Sequence, residues 1–354
     1  MSSFRRTVLI LCISASATAA LALPASADPA TGKAASRAGV IVWTNRTDES
    51  EHLMIASADG RHRRDLTPAQ PGNVDIDARV SPNGEWIVFE HDDATSATIH
   101  LIRPNGTQDH EINVGCVDPC VAVGAPTWLS NTRLAYIKVS GPFDPQSGDA
   151  ASAVLWTARL DGSDVRRLSQ PGIDGVYEDG RANISRDGTY IAFTRTRDSD
   201  HASAVFRMSP DGTDLRQLMP WNLAPDVFDL SKAEHGASAD LILFESYGRG
   251  DPTATFVDLA TVPATCTSVA DCTAKIRWIT DNAATGRRNA NPQWSPDGSS
   301  LVFTNRSGID NPNADIWTMR FGGTTRTQIS TSTDFDYRPA WGVQADEHEG
   351  SDKP

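Results

Sequence analysis

The chain has 354 residues and a formal net charge of −13, with 45 acidic against 32 basic side chains. That balance argues against nucleic acid as a partner, because phosphates need Lys and Arg opposite them. The length exceeds what one ordinary core fills and points to several cores or to a repeat.

From the N-terminus, Arg5 and Arg6 precede an apolar run from Val8 to Leu23, and Ala25-Ser26-Ala27 offers small residues for cleavage before Asp28. This order is that of a secretory signal peptide over residues 1–27, cleaved after Ala27. A membrane anchor needs about 20 strongly apolar residues, whereas this run is shorter and diluted by Ser, Thr and Ala. Leu11 before Cys12 does not suit a lipoprotein site, and Thr7-Val8-Leu9 after the paired arginines favours the general export route over the twin-arginine one. Residues 28–38 read as a flexible segment. No later stretch is apolar for long enough to span a bilayer, so the mature chain is expected to be a soluble monomer in the periplasm, cell wall or medium.

Four cysteines follow the expected cleavage site in two local pairs, Cys116 with Cys120 and Cys266 with Cys272. An even count in an exported chain favours disulfides over a metal or redox site.

A repeat then runs along the chain. Val80-Ser81-Pro82-Asn83-Gly84 leads into Trp86-Ile87-Val88-Phe89. The pattern returns as Ile184-Ser185-Arg186-Asp187-Gly188 before Tyr190 to Phe193, and as Trp294-Ser295-Pro296-Asp297-Gly298 before Leu301 to Phe303. A worn copy is Trp128 to Tyr136. Ser81, Ser185 and Ser295 are each two units apart, which sets the period near 50 residues. Within a unit, an apolar strand ends at Ser, Asn/Asp-Gly makes a tight turn, and an apolar strand returns. Further strands follow, such as Ile99 to Ile102, Val205 to Met208 and Ile316 to Met319; turns at Asp161-Gly162 and Asp211-Gly212 lead to short closing strands.

Four strands per unit with no helical periodicity predict an all-β fold, a six-bladed β-propeller of four-stranded antiparallel blades. The unit starting at Gly39 lacks its opening strand, and Tyr337 to Gly342 supplies an unmatched one. The C-terminal strand is therefore expected to complete the first blade, giving a propeller over 39–342 and a disordered tail over 343–354. The fifth unit, around Leu230 to Phe244, is the most degenerate, and Pro263 to Ala274 reads as an insertion in it.

These units resemble the propeller repeat of the TolB family, which runs roughly Pro-x-Trp-Ser-Pro-Asp-Gly, an apolar strand, Ile-Trp and Asp-Gly. Trp294 to Phe303 with Asp315-Ile316-Trp317 matches closely, and Ala182 to Phe193 matches well. The resemblance covers about Gly39 to Gly342 and implies the fold. It does not extend to the family's α/β domain, for which residues 28–38 leave no room, nor to the hydrolase domain that follows such repeats in prolyl-oligopeptidase-like enzymes.

Signals for chemistry are few. There is no Gly-x-Ser-x-Gly elbow, no His-Glu-x-x-His and no phosphate-binding Gly-Lys-Ser/Thr loop. His91-Asp92-Asp93 is the densest cluster of ligand-type side chains and reads as a solvated loop. The recurring Asp-Gly pairs serve turns that need φ > 0, so calcium is not supported and no cofactor is expected. Trp128, Trp294 and Trp341 are expected to pack between blades.

The informative register lies four residues before each Ser or its equivalent: Asp77, Arg181, Asn291 and Arg338, with Ala125 in the worn copy. In a propeller these line the channel and gather at one mouth, beside acidic Asp75, Glu178, Asp179 and Asp336. Two readings stay open: a site for a small ligand or peptide end, or charges that simply line a wet channel. The expected role is binding of an envelope or extracellular protein, peptide or small ligand. The alternative is a metal-dependent propeller hydrolase or lyase at the channel mouth, although the mixed Asp, Arg, Asn and Ala set suits a cation poorly.

Overall fold

A computed structural model describes residues 39–345 apart from 144–149, 171–176, 198, 224, 226, 252 and 309–310. The expected signal peptide, the segment 28–38 and the tail from 346 lie outside the described residues.

The chain forms β1 (Val40–Arg46), β2 (Glu51–Ser57), β3 (Arg64–Asp65), β4 (Val74–Val80), β5 (Ile87–Asp92), β6 (Ala97–Ile102), β7 (His110–Glu111) and β8 (Cys120–Ser130). Next come β9 (Arg133–Phe143), β10 (Ala150–Arg159), β11 (Arg166–Arg167), β12 (Tyr177–Ile184), β13 (Ile191–Arg197), β14 (Ser203–Met208), β15 (Arg216–Gln217) and β16 (Phe228–Leu230). The last are β17 (Leu241–Tyr247), β18 (Val257–Pro263), α1 (Val269–Ala274), β19 (Arg277–Trp278), β20 (Arg288–Trp294), β21 (Ser300–Arg306), β22 (Asp315–Arg320), β23 (Arg326–Gln328) and β24 (Phe335–Gly342). They make three eight-stranded sheets. Each sheet joins two four-stranded antiparallel units through one parallel bridge: Glu51 with Val74, Ala153 with Glu178, and Val257 with Arg288. β24 pairs antiparallel with β1, from Val40–Gly342 to Arg46–Phe335.

Local chemistry explains the repeat. Ser81 Oγ donates to Asn83 Oδ1 (2.7 Å) and accepts from Trp86 N–H (3.0 Å), while Asn83 Oδ1 accepts from Glu85 N–H. Ser185 with Asp187 and Ser295 with Asp297 repeat the arrangement. Gly84, Gly188 and Gly298 follow at φ 73°, 70° and 67°, a region open to Gly at little cost. The side chain satisfies backbone groups that the tight turn would leave orphaned.

The second strand of each unit carries one fully buried aromatic residue: Trp43, Phe89, Tyr136, Phe193, Phe244 and Phe303. Each contributes about 2–3 kcal/mol of apolar burial. The inner-strand tryptophans pack between units as expected. Trp128 lies among Val88, Ile99 and Leu101 of the preceding unit and donates its Nε1–H to Arg79 O (2.8 Å). Trp294 packs with Leu243 and Leu259, and Trp341 with Val302 and Ile316.

Both disulfides form, Cys116–Cys120 and Cys266–Cys272. The second is buried in a core cluster and ties Cys272, within α1, to Cys266, three residues after the end of β18, so the insertion in the weakest unit is closed on itself beside the sheet.

Candidate functional site

The first strand of five units has a β-bulge at the same place. Register shifts fall between Ile76 and Arg79, Gly124 and Thr127, Gly180 and Asn183, and Ala290 and Gln293; in β24 the residues Arg338 and Pro339 are passed over. At each bulge sits a left-handed residue other than glycine: Asp77 (φ 55°), Ala125 (45°), Arg181 (33°), Asn291 (51°) and Arg338 (53°). These are the residues singled out four positions before the Ser. Asp and Asn tolerate this region; Arg and Ala do so at a cost of about 1–3 kcal/mol. Bulges re-aim side chains out of the pleat, and here they do so in concert. The exception is the degenerate unit, whose inner strand begins only at Phe228, with Val227 just before it at the matching position.

Three of the four predicted residues meet directly. Arg181 Nη1 donates to Asp77 Oδ1 at 2.6 Å, and Arg338 Nη1 to Asp77 Oδ2 at 3.0 Å. The Asp77 side chain is 5% exposed, those of Arg181 and Arg338 13% and 16%. Burial pushes the Asp77 carboxyl up, but Arg181, Arg338 and Arg79 outweigh it and hold the group well below the usual carboxylate range. Asn291 lines the same crevice without joining the ion pairs.

Sequence reasoning missed the residues that complete the crevice. Arg79 stands two positions after Asp77, and Gln293 two after Asn291; with its amide oxygen toward Arg79, Gln293 accepts from that guanidinium at 3.0–3.3 Å. Burial and repulsion by Arg181 and Arg338, against attraction by Asp77, bring the Arg79 pKa down to about 10. Two carboxylates hold the bulges from outside. Glu90 Oε2 accepts from Ala125 N–H at 2.8 Å, and Glu245 Oε2 accepts from Asn291 N–H. Both follow the buried aromatic of a second strand and reach across to the next unit, a signal readable only once the units are aligned. Burial, then the charges of Asp92 and Asp77, push Glu90 up to about 8.

The acidic neighbours do not gather there. Asp75 bonds His91 Nδ1 (2.6 Å), Asp179 takes a bidentate pair from Arg195 (2.6 and 2.9 Å), and Asp336 accepts from Asn45 (2.7 Å). Each is a cross-strand pair with the second strand of its own unit, because residues two apart in a strand continue the same cross-strand register. Glu178 lies one residue before Asp179, at the parallel bridge to Ala153. His91-Asp92-Asp93 also differs from a plain solvated loop: Asp92 is buried, and Asp93 caps the turn through Thr95 and Ser96. No group of three or more His, Cys, Asp or Glu side chains with metal-binding geometry occurs among the described residues.

Neither a family model nor a curated protein sequence matches the chain. Solved structures do. TolB from Acinetobacter baumannii is similar with a TM-score of 0.64 at 15% identity, over 88% of this chain and 68% of that one. A putative TolB from Agrobacterium tumefaciens gives 0.54 at 14%, over 86% and 98%. A chain of a nidogen/laminin complex gives 0.58 at 10%, over 86% and 99%. At these identities the likeness speaks for the fold alone, and the fold is the TolB-like β-propeller.

Proposed function

We propose that the chain is an exported six-bladed propeller that binds a protein or peptide partner at its channel and catalyses no reaction. The observation that carries the reading is the Arg181–Asp77–Arg338 cluster, in which three strands far apart in sequence present charged side chains from bulged, strained backbone into one crevice. Strain held at one register is a mark of a working surface rather than of economy of folding. Six units are supported by the strand pairings, and closure of the ring by β24 by its pairing with β1 and its position between β20 and β4. Export is supported by the disulfides, which persist in oxidising compartments, and by the leader-like N-terminus. No helix among the described residues is long and apolar enough to cross a membrane. A protein partner is in keeping with the TolB-like fold, and the chain acts as a monomer.

Cross-linking in intact producing cells, followed by affinity capture, tests the proposal. A cross-linked partner is expected with the native chain and with Arg216→Gln on an outer strand, and is lost with Arg181→Gln/Arg338→Gln. Capture indifferent to the double substitution would place the interface elsewhere.

A further inference from the structure

Resting on the crevice as the binding site, we infer that the group it takes is a carboxylate, and that Asp77 holds the site closed as an internal stand-in for it. The donors carry the argument. Arg181 has five N–H donors, and among the described residues only Nη1 is engaged, on Asp77. Asn291 accepts at Oδ1 from Thr304 (3.3 Å), and its Nδ2 makes no hydrogen bond among the described residues. Both line the crevice with Arg79 and Arg338. The carboxylates around it are directed to backbone N–H groups: Glu90 to Ala125, Glu245 to Asn291, and Asp229 to Trp294.

A cation entering here meets guanidiniums. A planar oxyanion meets forked donors that match its shape. The site already displays its preference, since the group bridging Arg181 and Arg338 is a carboxylate. As it stands, the crevice is narrower than a water molecule. An incoming carboxylate therefore draws at least one guanidinium off Asp77, and Asp77 competes with the ligand for it.

Calorimetry and thermal melting of the mature protein in sodium acetate, against sodium chloride of equal ionic strength, test this at neutral pH. Acetate raises the melting temperature beyond chloride. Arg181→Gln weakens the effect about tenfold or more, Arg181→Lys falls between because it keeps the charge and loses the fork, and Asp77→Asn strengthens it. Should Arg181→Gln not fold, Arg181→Lys and Asn291→Ala, which leave a charge at every ion-pair position, carry the test. Equal effects of acetate and chloride, acetate binding unmoved by these substitutions, or weaker acetate binding in Asp77→Asn would overturn the inference. A short peptide with a free C-terminal carboxylate and its amidated twin identify the source. Binding of the free form alone brings the carboxylate on a protein chain; binding of acetate alone makes it a small molecule. If partner capture depends on Arg181 while acetate and peptide are inert, this inference falls and the partner reading stands; the reverse pattern removes the partner and keeps the site.

Discussion

Glu90→Gln tests how the bulges are held. Glu90 Oε2 accepts from Ala125 N–H at 2.8 Å and fills the space beside Gly124, where a Cβ would lie 2.3 Å from it. Its pKa is raised from 4.5 to about 8. A raised folded-state pKa means that stability is fully present below 4.5 and is lost as the pH climbs through about 8, because the folded chain holds a proton that the unfolded chain gives up. The whole shift corresponds to about 5 kcal/mol; Glu90 is only partly buried, and screening reduces this to roughly 2 kcal/mol. Gln keeps the acceptor for Ala125 and cannot ionise. Glu90→Gln is therefore expected to match the native chain near pH 4.5 and to exceed it by about 2 kcal/mol, or roughly 5 °C, at pH 8.5. Urea unfolding of both proteins from pH 4.5 to 8.5 gives the difference directly, and titrations common to both cancel. A difference constant with pH would refute the reasoning.

Further outcomes follow from the same contacts. Asp77→Ala leaves Arg181 and Arg338 without their carboxylate and costs about 3–5 kcal/mol; in the native chain this contribution is present above pH 3.8, the unfolded value, and lost below it, which acid unfolding of both proteins reads out. Arg195→Ala removes the buried bidentate partner of Asp179 and lowers the denaturation midpoint by a comparable amount. Gly342→Ala places a Cβ within 2.2–2.7 Å of Val80 Cβ, Cγ1 and Cγ2, so it destabilises by about 1–3 kcal/mol if β24 seats against β4; unchanged melting would argue against that closure. Replacing Cys266 and Cys272 by Ser costs about 2 kcal/mol in urea unfolding. Chelator is expected to leave the melting temperature unmoved, and a drop would reopen the metal-dependent alternative.

The repeat unit was legible because its physics is local. The side chains of Ser81 and Asn83 and the positive φ of Gly84 make the turn within five residues, so the pattern survives as a spelling that recurs at Ser185 and Ser295. From that spelling came the strand order within each unit, the unmatched terminal strand and the register of Asp77, Arg181, Asn291 and Arg338, while the pairing of the cysteines came from their even count and closeness in sequence. Tertiary structure decided what that register does. At Ala125 and Asn291 the backbone N–H of the bulge is held by a carboxylate from the preceding unit, Glu90 and Glu245, and no window of sequence contains both. The choice of Asp77 as the anchor for two arginines, 104 and 261 residues away, likewise arises only when the inner strands are brought side by side. The same closeness assigned Asp75, Asp179 and Asp336 to partners on the adjacent strand, because cross-strand pairing along a continuous register takes the nearer group, whereas the bulge frees its own residue to reach a distant one.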